Sequence, residues 1–254
     1  MSEEREVARL DFGREDRTGI PEVILAEVKT DAQVVAAVRA FLERTGRAIV
    51  SRMRDTTMNE LERAFSDCEL DRRDLARAVA IHAPTYRRPA SGGRIGVLTA
   101  GTGDVFIAEE ARLVAEEMGC SVETLYDVGV AGIHRLFDPY REMLESGISA
   151  AVVCAGMDGA LPSVVAGLSP IPVIGVPTSI GYGVGGKGRA ALLSMLQTCV
   201  PGLTVVNINN GIGAGATAAL IANREAAARL RMLKDDRDVQ TRAQRSDDWA
   251  HSSR

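Results

Sequence analysis

A chain of 254 residues that is 46% hydrophobic and 25% charged has the composition of a globular protein, with room for one large domain and an appendage. A net charge of −4 provides no electrostatic attraction to phosphate backbones, which excludes non-specific nucleic-acid binding. Residues 1–15 are acidic and have no apolar core, so no signal peptide is expected. The most apolar stretch, Ile148 to Gly188, is interrupted by Asp158, Pro162, Pro170, Pro172 and Pro177 and reads as buried strands and turns, with no membrane partner. Cys68, Cys120, Cys154 and Cys199 are spaced for neither a disulfide framework nor a zinc site. Free thiols and a cytoplasmic, reducing location are expected, with three cysteines as core filler and one available as a nucleophile.

Three of the 25 glycines fall in the first 90 residues, and the other 22 lie between Ser91 and Asn223. That contrast divides the chain into a mainly helical N-terminal segment (1–90), a glycine-rich α/β domain (91–223) and a charged tail (224–254). In the first segment, 31–44 puts Val34, Val35, Val38, Phe41 and Leu42 on one helical face, with Thr30 or Asp31 as cap. A short strand is expected at 48–51 and a second helix over 58–80. In the second segment strand and helix signals alternate. Strands are predicted at 94–100, 121–127, 149–155, 172–176 and 203–208, with helices at 104–118, 134–146, 160–168, 186–196 and from about residue 213. Five apolar strands separated by helices predict a doubly wound parallel sheet of about five strands, with all strand C-termini on one edge. The tail reads as an extension of the last helix that then frays into disorder, with Trp249 as a lone weak docking contact.

In such a sheet ligands bind beyond the strand C-termini. The five segments there are all glycine-rich. They are Thr99-Ala-Gly101-Thr102-Gly103-Asp104; Asp127-Val-Gly129-Val-Ala-Gly132-Ile-His134, followed by Arg135; Gly156-Met157-Asp158-Gly159-Ala160; Pro177-Thr178-Ser179-Ile-Gly181, with Lys187 further on; and Asn207-Ile-Asn209-Asn210-Gly211. Glycine lets backbone N–H groups approach an anion, and helix N-termini add partial positive charge, so five such turns on one edge point to a phosphate-bearing ligand. Neither GxGxxG nor GxxxxGK[ST] occurs, which removes the dinucleotide-dehydrogenase and NTPase signatures. Asp158 reads either as a helix cap or as a proton-transfer group. His134 reads either as an acid/base at a helix N-terminus or as a satisfied structural histidine. By position alone Cys199 reads as a small buried residue.

Taken together, the strings TAGTGD, DVGVAGIHR, AGMDGALPSVVAGL, VPTSIGYG and VVNINNGIGAG, with REDRTGIPEVILAEVK near the front, resemble the LarB family, a relative of the PurE-type aminoimidazole-ribonucleotide carboxylases. The resemblance spans about residues 8–223. It implies a PurE-like (flavodoxin-like) fold and a homo-oligomer, an octamer by PurE analogy. The implied activity is carboxylation of the pyridinium ring of nicotinic acid adenine dinucleotide, with cleavage of the phosphoanhydride to release AMP, the first step of nickel-pincer cofactor synthesis. The implied co-substrate is carbon dioxide or bicarbonate. No tightly bound organic cofactor is implied; magnesium is expected, with Asp104 or Asp158 as its carboxylate. Cys199 matches the family's nucleophile and Asp158 its acidic residue. The chain departs from the family at Gly103 (usually serine), Asp158 (usually glutamate), Asn209 (usually aspartate), Ile212 and Val184–Lys187. Two alternatives stand beside this reading. One is a PurE-like carboxylase or mutase acting on another nucleotide such as aminoimidazole ribonucleotide, with His134-Arg135 echoing that family's histidine turn. The other is a non-catalytic nucleotide-binding protein.

Overall fold

A computed structural model describes residues 10–252, with side chains up to residue 234. The chain forms two sheets joined through one buried helix. The N-terminal segment begins with α1 (Arg14–Thr18) and β1 (Val23–Leu25), then α2 (Asp31–Thr45), β2 (Arg47–Ser51) and α3 (Asp55–Ala64). A hairpin of β3 (Glu69–Arg73) and β4 (Ala78–His82) follows. The strand order is β1-β2-β4-β3, parallel between β1 and β2 and antiparallel elsewhere.

Thr30 starts α2 through a reciprocal box: its hydroxyl accepts from Gln33 N at 3.2 Å, and its own N–H donates to the Gln33 side chain at 3.0 Å. Asp31, the other candidate cap, instead accepts from Arg54 and Thr57. The predicted face of α2 is borne out, with Val34, Val38 and Phe41 buried and Val35 and Leu42 half-buried.

The helix expected over 58–80 is a correction. It ends at Ala64, and the rest is the β3–β4 hairpin. Two features conceal that hairpin. Strand β3 (ELDRR) is a charged edge strand, which discourages pairing with other chains but hides its alternation. The turn has no glycine; Arg77 itself takes the left-handed conformation, at φ 52°. The N-terminal segment is therefore built on a four-stranded sheet packed against its helices.

The second sheet holds β5 (Arg94–Thr99), β6 (Ser121–Leu125), β7 (Ala150–Ala155), β8 (Val173–Pro177) and β9 (Leu203–Val205), every pair parallel, in the order β6-β5-β7-β8-β9. This is the flavodoxin-like doubly wound order. The helices are α4 (Val105–Glu117), α5 (His134–Glu145), α6 (Leu161–Leu168), α7 (Arg189–Leu196) and α8 (Gly211–Ser252). Strand β7 shows how both faces are covered: Ala150, Val152 and Cys154 pack with α4 and α8, while Ala151, Val153 and Ala155 face α5, α6 and α7. The last helix continues to Ser252, where fraying was expected. Its charges suit an exposed helix, as the Arg229–Glu225 pair one turn apart shows. Trp249 lies outside the residues whose side chains are described. Among the described residues no helix is long and apolar enough to cross a membrane.

Helix α4 is the hinge of the architecture. One side packs on the parallel sheet, and Leu113 on the other packs with Ile49, Ala78 and Ala80 of the N-terminal sheet. At its end the fully buried Glu117 accepts from His82 Nε2 at 3.1 Å and pairs with Arg88 at 2.6 Å and Arg47 at 3.5 Å. Arg47 also reaches Glu15. Removing one partner of a buried ion cluster strands the others, so Glu117→Ala is expected to cost about 3–5 kcal/mol, read as a lower urea midpoint.

Candidate active site

The topology places the loops after all five parallel strands on one edge. Helices α4 and α6, which follow the neighbouring strands β5 and β7, leave toward opposite faces. That divergence opens the crevice where ligands bind in this class of sheet.

Hydrogen bonds join the five loops. Asp104 is 3% exposed. Its Oδ2 accepts from Gly101 N at 2.9 Å and its Oδ1 from the Thr178 hydroxyl at 2.5 Å, linking the β5 and β8 loops. Met157 N donates to Ile180 O at 2.8 Å, adding the β7 loop. The Thr99 hydroxyl accepts from Asp127 N at 3.0 Å and Gly129 N donates to Ala100 O at 2.8 Å, adding the β6 loop. Asn209 closes the set: its Oδ1 accepts from Ser179 N at 2.8 Å and its Nδ2 donates to the Ser179 hydroxyl at 2.9 Å. Burial pushes Asp104 above the usual carboxylate range, opposed by the bonds from Thr178, Gly101 and Gly156.

The predicted residues divide into a framework and a surface. Thr99, Asp104, Gly129, Gly156, Gly159, Pro177 and Thr178 are buried; Gly101, Gly132, Ala160 and Ser179 are half-buried; Thr102, Gly103, Met157, Asp158, Gly181, His134, Arg135 and Lys187 are exposed. Asn210 and Gly211, expected at the ligand, also have structural partners. Asn210 Oδ1 caps α8 by accepting from Gly213 N at 2.9 Å, and a Cβ on Gly211 would meet Ile107 O of α4 at 2.4 Å. That glycine serves close helix packing. Asp104, the other expectation for a magnesium carboxylate beside Asp158, has each oxygen in one hydrogen bond. Among the described residues no group of three or more His, Cys, Asp or Glu side chains could cage a metal.

Asp158 caps nothing. Helix α6 begins at Leu161 with Ala160 as its N-cap and no side-chain cap, and among the described residues Asp158 makes no side-chain hydrogen bond or ion pair. His134 is exposed and likewise unbonded among them, so it is not a satisfied structural histidine, while Arg135 pairs with Asp127. Cys120 and Cys154 are buried, and burial raises both thiols; Cys68 is half-buried, and burial raises it too. Cys199 is exposed, contrary to its reading as a small buried residue. It lies in the turn between α7 and β9, held beside α6 where Ser163 donates to Thr198 Oγ1 at 2.9 Å. Ser163 stands in the first turn of α6, five residues after Asp158.

Two departures from the resembled family acquire a physical account. A Cβ on Gly103 would stand 3.1 Å from Ile180, whose side chain fills the space a serine would use. Asn209 satisfies both polar groups of Ser179, which an aspartate would also do by accepting twice.

Sequence reasoning missed Arg52 and Glu110. The Arg52 guanidinium donates to Asn209 O at 3.1 Å. Glu110 on α4 is 3% exposed; its Oε1 accepts from the Ser51 hydroxyl at 2.5 Å, and its Oε2 has no hydrogen-bond partner among the described residues. Burial raises Glu110 above the glutamate range, with Ser51 and Arg52 opposing. A carboxyl raised in the native state adds stability that is complete below the ordinary glutamate range and is lost as pH climbs through the raised value. Glu110→Gln does not titrate, so its stability relative to the unchanged protein should rise across that window and stay level below it, as urea unfolding at a series of pH values would read.

Comparison with known proteins agrees with this architecture. The AIR carboxylase family model matches residues 94–245, and the model of the LarB/PurE-like N-terminal domain matches residues 2–83. An uncharacterised protein of Methanocaldococcus jannaschii is 42% identical over 219 residues, covering 84% of this chain and 83% of its own length. The N5-carboxyaminoimidazole ribonucleotide mutase of Thermotoga maritima is 30% identical over 60% of this chain and 91% of its own length. The enzyme of that name from Pyrococcus abyssi is 33% identical over 51% of this chain and 71% of its own.

Proposed function

Because the chain belongs to the AIR carboxylase family, in the LarB branch that carries a LarB/PurE-like N-terminal domain, we propose that it carboxylates the pyridinium ring of nicotinic acid adenine dinucleotide and splits the phosphoanhydride to release AMP. The observation that carries the reading is the exposed thiol of Cys199, at the position the resemblance assigns to the nucleophile, in a chain whose other described cysteines are buried or half-buried.

A pyridinium ring is electron-poor and does not attack carbon dioxide. Addition of the Cys199 thiolate to the ring carbon beside the nitrogen forms a C–S bond and places the electron pair in a neutral dienamine. The neighbouring carbon then attacks carbon dioxide. Asp158 takes the proton from that carbon, and the C–S bond breaks to restore the aromatic cation and the thiolate. The net change is carbon dioxide in and a proton out. Water cleaves the phosphoanhydride separately. Asp158 suits the role of base because it is exposed and unpaired among the described residues. Lys187 supplies positive charge at the loop edge for the diphosphate.

Cys199 lies in the turn that enters β9 and Asp158 in the loop that leaves β7, and the reading includes a homo-oligomer in which Cys199 of one copy meets the loops of another. Apolar side chains flank both parts: Leu193 and Leu196 on α7, and Ile180, Tyr182 and Val184 in the β8 loop are exposed.

Mass spectrometry of the dinucleotide incubated with the protein, bicarbonate and magnesium tests the reading. A carboxylated mononucleotide plus AMP is expected; unchanged dinucleotide with folded protein refutes it. A second reading, a mutase or carboxylase on aminoimidazole ribonucleotide, is favoured by the mutases of T. maritima and P. abyssi and by the free His134 beside Arg135. The same experiment with that nucleotide separates the two.

A further inference from the structure

We propose that Arg52 is a positioning residue for this site, reaching from the N-terminal sheet to fix the loops after β9 and β8. Its Nη2 donates to Asn209 O at 3.1 Å. Asn209 holds Ser179 by two hydrogen bonds, and its own N–H donates to Pro177 O at 2.9 Å. Next along the β8 loop, Thr178 holds Asp104 and Ile180 O holds Met157, the neighbour of Asp158. One guanidinium thus connects the N-terminal segment to the loop network that presents the proposed base.

The local backbone points the same way. Arg52 leaves β2 at φ 56°, Asn209 sits at φ 57° and Arg77 at φ 52°. All three line one cavity of about 220 Å³ between the N-terminal sheet and α4. Left-handed non-glycine residues are costly and persist where the surroundings demand a particular geometry. Here that geometry aims the Arg52 side chain. The carboxylates of Glu27 and Glu110 lie 3.6 and 3.8 Å from the guanidinium, so they steady its charge without taking the donor that Asn209 uses.

The catalytic consequence rests on the proposed function; the loop-holding role does not. Arg52→Gly removes the guanidinium without backbone strain, and Glu110, already raised by burial, loses a nearby cation and rises further. Hydrogen exchange at the Ser179 and Asn209 amides should then speed up by about tenfold or more. The kcat for nicotinic acid adenine dinucleotide should fall by about tenfold or more, with KM little changed, because a displaced loop misplaces the reacting groups. Arg52→Lys, which restores a donor to Asn209 O, should recover most of both. Exchange within about twofold of the unchanged protein overturns the inference, as does an unchanged kcat. If the unchanged protein does not turn over the dinucleotide, it is the proposed substrate that has failed, and the exchange result alone decides the role of Arg52.

Discussion

Cys199→Ser protein should fold, bind nicotinic acid adenine dinucleotide and carboxylate it at least about 10³-fold more slowly, since a serine hydroxyl at neutral pH has neither the ionised fraction nor the softness to add to the ring. Cys199 is exposed, so the exchange removes one sulfur and disturbs no core. Asp158→Asn should be comparably inactive for a different reason, the loss of the base. The informative experiment combines them. In a homo-oligomer refolded from equal amounts of the two inactive chains, a site that takes its thiol from one copy and its carboxylate from another is intact in about a quarter of cases. Recovery of that fraction of activity is the expected result. A mixture as inactive as its components would place both groups in the same chain.

The parallel sheet was legible because its strands are buried on both faces. Segments such as Ala150–Ala155 read as continuous apolar runs between glycine-rich turns, and the observed strands fall within a residue or two of expectation except β9, which stops at Val205. The N-terminal sheet was less legible for equally physical reasons. Strand β3 is an edge strand made of charges, Arg73 pairing with Asp71 beside it and with Glu116 on α4, and its hairpin turns at Arg77 without the usual glycine. At the site, pattern located the loops but could not distinguish a glycine that admits a ligand from one that admits a helix. Gly211 shows the second case. Nor could spacing reveal Arg52, whose role depends on a contact with Asn209, 157 residues away in the chain.

Gly156→Ala should be the most damaging single methyl group at the loop edge. A Cβ there would lie 2.1 Å from Ile180 O and 2.8 Å from the Thr178 hydroxyl. The first atom is backbone and cannot rotate away, and it accepts the hydrogen bond from Met157 N that ties the β7 loop to the β8 loop. Relief therefore requires moving one loop off the other. The expected loss is about 1–3 kcal/mol in urea unfolding, together with weakened dinucleotide binding, because Asp158 travels with the displaced segment. Gly167→Ala provides the contrast within the same βα unit. It lies in α6, where the added carbon meets Val200 at 4.0 Å, an ordinary contact, and where alanine is the better helix former. That variant should gain about 0.5–1 kcal/mol and bind the dinucleotide unchanged. If the two variants behaved alike, close approach of the loops would not be what the glycine at 156 provides, and its place on the strand edge would need a ligand contact to explain it.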